Sequence, residues 1–386
     1  MLDAASESKS KSLFRSYYRI AKIGMKELNK REFGFGNFEK KIVFRHIAFG
    51  SDDELHRYLT EFVPAFVSCS PSLYNFPAAR PMERKGWIGS ELVFDLDSTD
   101  LHLPCQEKHG KGWVCGICQE AVKSECIKLI EDFLVPDFGF SKNQIRINFS
   151  GNRGYHVHVD SEEIFGLGSD ARKEITDYIS GEGVSAKMIF PLIANKNAKL
   201  YGPKPSNFGW SGKIARSMVS ALNSGEEALT SLGMSKADAR LMYDNRANII
   251  MGITNGNWDK VRIRGRERFW SSVIDGMRVR QSDSIDGNVT SSVYHLLRMP
   301  NTLHGDTGLL SIKISSIERL SDFDPMAHSI AFKKGELEIE ITRETQPLSI
   351  GKTEIGKESA GKRLVLPTYA SLYLVLKRYA RFIVSR

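Results

Sequence analysis

Asp95 and Asp97 close the run Glu91–Asp97 (ELVFDLD), and strand alternation puts both carboxylates on one face. Carboxylates so spaced can hold one or two divalent ions, which position a nucleoside triphosphate and stabilise an in-line phosphoryl displacement. A D-x-D by itself is more often a solvated face. The apolar ELVF run argues for a strand buried enough that the two like charges require a cation to offset their repulsion. A second group, Cys105, His109, Cys115 and Cys118, has the thiolates and imidazole that tetrahedral zinc prefers, with a C-x-x-C turn to place two sulfurs on one ion. Four protein ligands leave no open position, so the expected role is structural. His102 is the substitute for His109, and Cys69 and Cys126 are left over as buried thiols.

The third group is the turn Ser150-Gly-Asn-Arg-Gly154 with Tyr155, His156, Val157 and His158. Its glycines allow close backbone approach to phosphate, and Arg153 and His156 supply donors to oxyanions. His156 and His158 share a strand face and read equally as core histidines or metal ligands; beside SGNRG, a phosphate site is the better reading. The fourth runs from Arg298 through Pro300 and His304 to Gly308, a rigid Pro/Gly-rich loop suited to an anion-binding edge, though alone it would pass for a plain connection.

The elements that must carry these groups mix irregularly. Helical spacing predicts a helix over about Lys11–Lys30, a strand follows at Lys41–Phe49, and a helix opens at Ser51 or Asp52. The carboxylate strand comes next, then a helix over Cys118–Leu134 and a hairpin of Gln144–Phe149 and Tyr155–Asp160. Residues 206–260 look mostly helical. Strands return at Leu309–Ile314 and Glu336–Thr342, before a Gly/Lys-rich linker over Ser349–Arg363 and a final, largely apolar helix over Leu366–Val384.

With 386 residues, 41% hydrophobic and 26% charged, the composition is that of a folded globular chain. The net charge of +8 is concentrated in a run from Lys260 to Arg280 (Arg262, Arg264, Arg266, Arg268, Arg278, Arg280), which suits a polyanion without requiring one. No apolar stretch is long enough for a membrane helix or a secretory signal, so a cytoplasmic location is expected.

Taken in order, these segments resemble the small, catalytic subunit of archaeal and eukaryotic DNA primases, and archaeal members in particular. The resemblance rests on REF at Arg31–Phe33, PMERKGWIGSELVFDLD at Pro81–Asp97, the cysteine knuckle, DFGFSKNQIRINFSGNRGYHVHV from Asp137 and IDGNVTSSVYHLLRMPNTLHGDTGL from Ile285, over roughly residues 10–330. It implies an α+β primase catalytic-core fold of mixed sheets flanked by helices, with a zinc knuckle (about 102–120) and a helical insertion. The core would span 1–205 and 261–348, the insertion 206–260, and 349–386 would be linker and C-terminal helix.

By the resemblance, Asp95, Asp97 and Asp286 are the catalytic carboxylates holding magnesium or manganese ions, with Asp283, Asp322 and Asp324 as nearby alternatives to Asp286. Ser150, Arg153, His156, Arg298 and His304 bind the incoming nucleotide. Cys105, His109, Cys115 and Cys118 hold zinc. Glu32 and Arg45 match polar residues near the family's active site and are left out of the assignment. The implied activity is template-directed primer synthesis on single-stranded DNA, as an RNA polymerase with DNA polymerase activity as an option. The implied partner is a large subunit carrying an iron–sulfur cluster, in a heterodimer within the primosome, nucleoid-associated in an archaeon. The rival readings are a metal-dependent nuclease or phosphoesterase and a non-catalytic, zinc-containing single-stranded-DNA-binding subunit.

Overall fold

The computed structural model describes residues 1–195, 198–260, 265–282 and 285–383. The chain divides into two compact units, one built from Met1–Ile127, Ser141–Arg172 and Asp286–Arg386, the other from Lys128–Phe140 and Lys173–Ile285.

The larger unit carries two four-stranded antiparallel sheets. One runs in the order Phe44–Ile47, Phe33–Gly36, Phe66–Cys69, Leu297–Arg298; the other runs Ile312–Ile314, Ile145–Phe149, Gly154–Val159, Leu92–Asp97. In the second sheet Asp95 stands opposite His156, and His156 opposite Asn148, so the three side chains share a face. Asp97 stands opposite Gly154, where a Cβ would lie 2.3 Å from the Leu96 carbonyl oxygen, so only glycine fits that register.

The helix over residues 52–62 begins at Asp52, with the Ser51 hydroxyl accepting from the Glu54 N–H at 3.3 Å. Of the elements expected before residue 140, three differ. The first helix spans Ala4–Tyr18 rather than 11–30, because Asp3 caps it (Ser6 N–H to Asp3 Oδ1, 2.8 Å) and the chain then leaves the helix so that Ile23 and Leu28 enter the core. The strand expected at 41–49 is confined to Phe44–Ile47. The 118–134 helix is an α-helix over Gly116–Lys128 that continues as a π turn, Leu129–Leu134.

The C-terminal region is neither a linker nor one long helix. Leu348–Ile350 and Thr353–Ile355 pair as a hairpin, and Arg363–Pro367 joins Glu336–Ile341 and Ala380–Phe382 in a three-stranded sheet. The helix is Thr368–Leu376, buried from Ala370 to Leu376, which is why its sequence is apolar on every side. Arg378 takes a left-handed conformation (φ 66°) and turns the chain back into the sheet; Val384 lies outside the described residues.

The smaller unit is helical, with Ala186–Ile189, Gly209–Ser224, Glu226–Thr230, Lys236–Asp244, Arg246–Thr254 and Arg266–Ser282, and it reaches well beyond 206–260. Phe190, Trp258 and Trp270 pack edge-on at its centre. Of the basic run, Arg266 is spent on the Ala198 carbonyl (2.9 Å), and Arg268 is exposed. Arg262, Arg264 and the Arg280 side chain lie outside the described residues. Among the described residues no helix is long and apolar enough to cross a membrane.

Candidate active site

Asp95 and Asp97 end the carboxylate strand, and Asp286 comes to them from about 190 residues away: its backbone N–H donates to the Asp95 carbonyl oxygen at 3.0 Å. Each aspartate is held in place. Asp97 Oδ1 accepts from the Thr99 N–H and hydroxyl, both at 2.9 Å, and Asp97 Oδ2 accepts from Arg153 Nε at 2.8 Å. Asp286 caps the short helix Gly287–Ser291 by accepting from the Asn288 N–H at 2.9 Å. Burial, then the charges of Asp97, Asp286 and Asp100, push the Asp95 carboxyl up to about 7. Asp100, raised by burial and by the same neighbours, adds a fourth carboxyl that the spacing did not single out. Of the alternatives to Asp286, Asp324 caps the helix Pro325–His328 instead, and Asp283 lies outside the described residues.

A cleft of about 230 Å³ adjoins Asp95 and Asp97, and Ser150, Arg153, His156, Arg298 and His304 all line it, with Lys41, Asn152 and His295. Asp286 is not part of that lining. Gly151 has φ +88° and its missing side chain makes room for His304, whose Cβ a methyl there would approach to 2.9 Å. Thr307 ties the two loops by donating from its hydroxyl to the Gly151 carbonyl at 2.6 Å.

The two histidines are neutral near pH 7. Burial, then the His158 and Arg298 charges, bring His156 down to about 3; its Nε2 lies 3.5 Å from Asp95 Oδ1 and its Nδ1 has no partner. His304 is lowered by burial and by Arg298, and its Nδ1 accepts from the Asp306 N–H at 3.2 Å, which leaves the proton on Nε2. Burial lowers Arg298 to about 10, so it stays a cation, lying over the Phe66 ring with its Nε unpartnered.

The ligand atoms of Cys105, His109, Cys115 and Cys118 lie within 4.8 Å of one another. The Cys105–Cys118 and Cys115–Cys118 sulfur separations, 3.4 and 3.7 Å, approach the ~3.8 Å between thiolates sharing a tetrahedral zinc with bonds of about 2.3 Å. His109 Nδ1 donates to the Gly110 carbonyl (2.8 Å), presenting Nε2 toward Cys118 at 3.6 Å. His102 stands outside the cluster, on the Asp100 carbonyl. The set can hold zinc. Cys69 and Cys126 are buried free thiols.

A model of the DNA primase small subunit matches residues 94–316, which is more than half of the chain. The chain belongs to the DNA primase small subunit family. The proteins named DNA primase small subunit PriS from Thermoplasma volcanium and Thermoplasma acidophilum are each 34% identical to it, covering 99% and 96% of this chain and 100% and 99% of their own. That of Methanothrix thermoacetophila is 33% identical, over 98% of this chain and 99% of its own. The family model ends at residue 316, yet a later residue, Lys377, reaches the site of this primase small subunit. From the end of the C-terminal helix its Nζ donates to Asn152 Oδ1 in the glycine turn (2.9 Å) and to the Gly112 carbonyl in the knuckle (3.1 Å). Nothing local in YLVLKRYA marks that lysine; only the packing of the helix does. Glu32, fully buried, is ringed by Arg45 (2.9 Å), Lys85 (3.3 Å) and His46 (3.3 Å), a network of the opposite sheet outside the cleft lining.

Proposed function

We propose that this chain is the catalytic subunit of a DNA primase and joins nucleoside triphosphates on a single-stranded DNA template by two-metal nucleotidyl transfer. The observation that carries the reading is that Asp286, distant in sequence, meets the neighbouring Asp95 and Asp97 beside a cleft lined by Ser150, Arg153, His156, Arg298 and His304. Clustered carboxylates, one of them raised to about 7, fit divalent cations, since a cation relieves their mutual repulsion. Asp95, Asp97 and Asp286 would hold magnesium or manganese ions, which when bound supply charge for activating a 3′-hydroxyl and stabilising the leaving pyrophosphate. Arg153 and Arg298 then offer cationic donors to the triphosphate, while neutral His156 and His304 offer N–H donors without adding charge. Arg153, paired with Asp97 here, would be released to the phosphates once Asp97 binds a cation. The family name implies a large subunit; with Cys69 and Cys126 the only thiols outside the knuckle, and both buried, an iron–sulfur cluster belongs on that partner.

The test is incubation of the chain, with and without its large subunit, with single-stranded template, labelled ribo- or deoxyribonucleotides and manganese. Template-dependent oligomers are expected; release of nucleotides from labelled single-stranded DNA, without synthesis, would establish a nuclease instead.

Lys377 allows a finer expectation. Burial brings its ammonium down to about 8, a desolvation cost of ~3 kcal/mol at neutral pH. Lys377→Met relieves that cost but strips a donor from Asn152 and Gly112, about 1–3 kcal/mol each. The two effects offset, so the melting temperature should stay within a few degrees, while the KM for nucleoside triphosphates rises as the turn loosens. A fall in melting temperature at unchanged KM would leave Lys377 a purely structural role.

A further inference from the structure

The carboxylate cleft is not alone among the cavities of the larger unit. A second one, of about 420 Å³, opens between the same two sheets near the start of the carboxylate strand, at Glu91, roughly 13 Å along the backbone from Asp95 at ~3.3 Å per residue. That volume lies in the range of small-molecule sites. The register explains its polar wall: Arg146 stands opposite His158, and Lys313 opposite Asn148, on the sheet face that also carries Asp95. Only Leu297 and Arg298 line both cavities.

Its charges are built in and unbalanced. Glu91, 8% exposed, accepts from His158 Nδ1 (2.8 Å) and pairs with Arg146 (2.8 Å) and Arg31 (3.2 Å). Burial would raise its carboxyl, but His158, Arg146 and Arg31 hold it well below the usual carboxylate range, so it is ionised and the two guanidiniums are fixed. Five cations line the cavity (Lys26, Arg31, Arg146, Arg298, Lys313) against three carboxylates (Glu27, Glu91, Asp160), an excess of two. Glu27 is engaged by Lys30 at 3.1 Å, and Lys26, Arg298 and Lys313 form no ion pair among the described residues.

Hydrogen-bonding capacity is left over as well. Arg146 Nε and Arg298 Nε are buried donors without a partner, and Asn148, 3% exposed, has an unpartnered acceptor in Oδ1. Met25, Leu73 and Phe165 supply apolar wall. Surplus cations and free guanidinium N–H groups suit a phosphate, a buried acceptor suits a hydroxyl or amino group, and an apolar wall suits a flat ring. We infer that this cavity is a second ligand site, binding a phosphorylated nucleoside without a divalent cation and apart from the carboxylates. Arg298 is shared with the proposed nucleotide cleft, but Arg146 and Lys313 are not, so the two readings can be tested apart. A purely structural role for the Glu91 network, bracing the two sheets, is the outcome the test must separate.

Titration calorimetry of the full chain with ADP in EDTA makes that separation, because Arg146 and Lys313 line this cavity and not the carboxylate cleft, so their variants report on binding here. One saturable ADP site is expected. Lys313→Glu, at the exposed edge, should weaken it about tenfold by reversing a nearby charge, with an unchanged melting curve. Arg146→Gln should weaken it too, and adenosine should bind far more weakly than ADP. No ADP binding in EDTA, equal affinity in both variants and the native chain, adenosine binding as tightly as ADP, or binding gained only in Asp95→Asn would each overturn the proposal.

Discussion

Alanine at Asp95 or at Asp97 is expected to cut primer synthesis by at least about 10³-fold, some 4 kcal/mol of lost transition-state stabilisation, while leaving the fold intact. Each carboxylate is partly exposed at a strand end, so truncation opens no cavity in the core. Removing the Asp95 carboxylate from this crowded acidic cluster should even stabilise the metal-free chain. Because the folded chain keeps the Asp95 proton from the ordinary 3.8 up to about 7, it binds more protons than the unfolded chain in that window. Metal-free stability therefore falls as pH rises from 3.8 to about 7. Asp95→Asn cannot ionise and escapes that fall. In EDTA at pH 8 the Asn variant should melt above the native chain, and at pH below 4 the two should converge. A native chain that melts higher at pH 8, or alanine variants with full synthesis activity, would refute the assignment of the carboxylates to metal.

Loss of zinc should have the next largest effect. Cys115→Ser removes one of four converging ligands, and structural zinc in small domains contributes on the order of 10 kcal/mol of apparent binding free energy. The variant should fall from one zinc per chain toward none in a chelator competition and melt at lower temperature. The effect should also reach the cleft, since the loop between His109 and Cys115 supplies the Lys111 carbonyl to Arg153 (3.3 Å) and the Gly112 carbonyl to Lys377. A higher nucleotide KM is thus expected alongside the stability loss. Unchanged zinc content would mean that the ligand set is wrong.

The candidate site is largely legible in the sequence because its chemistry is local. A D-x-D pair on an alternating strand, a C-x-x-C turn and a glycine turn followed by a strand each impose their geometry within a few residues, and the hairpin holding Ser150, Arg153 and His156 formed where the alternation placed it. The misplaced elements were those whose pattern local rules leave ambiguous. Ser349–Arg363 carries glycines and lysines that read as linker, yet a tight hairpin turn at Gly351 and a left-handed turn at Gly361 use glycines in the same way as a flexible segment does. The apolar C-terminal stretch could not announce that its helix ends at Leu376 and that Ala380–Phe382 returns as a strand, because a segment buried on every side has no periodicity to read.

Residue type and short-range spacing were thus enough for the amino-acid chain alone to pick out the cysteine–histidine set that can hold zinc, the paired aspartates and the glycine turn. Tertiary structure decided what meets across long separations: Asp286 against Asp95, Lys377 beneath Asn152, and Glu91 gathering Arg31, Arg146 and His158 into a second cavity. The reason is physical. Short-range geometry follows from backbone dihedrals and hydrogen bonds between near neighbours, whereas these encounters depend on which faces of two sheets and a terminal helix pack together, and that outcome is set by the whole buried core.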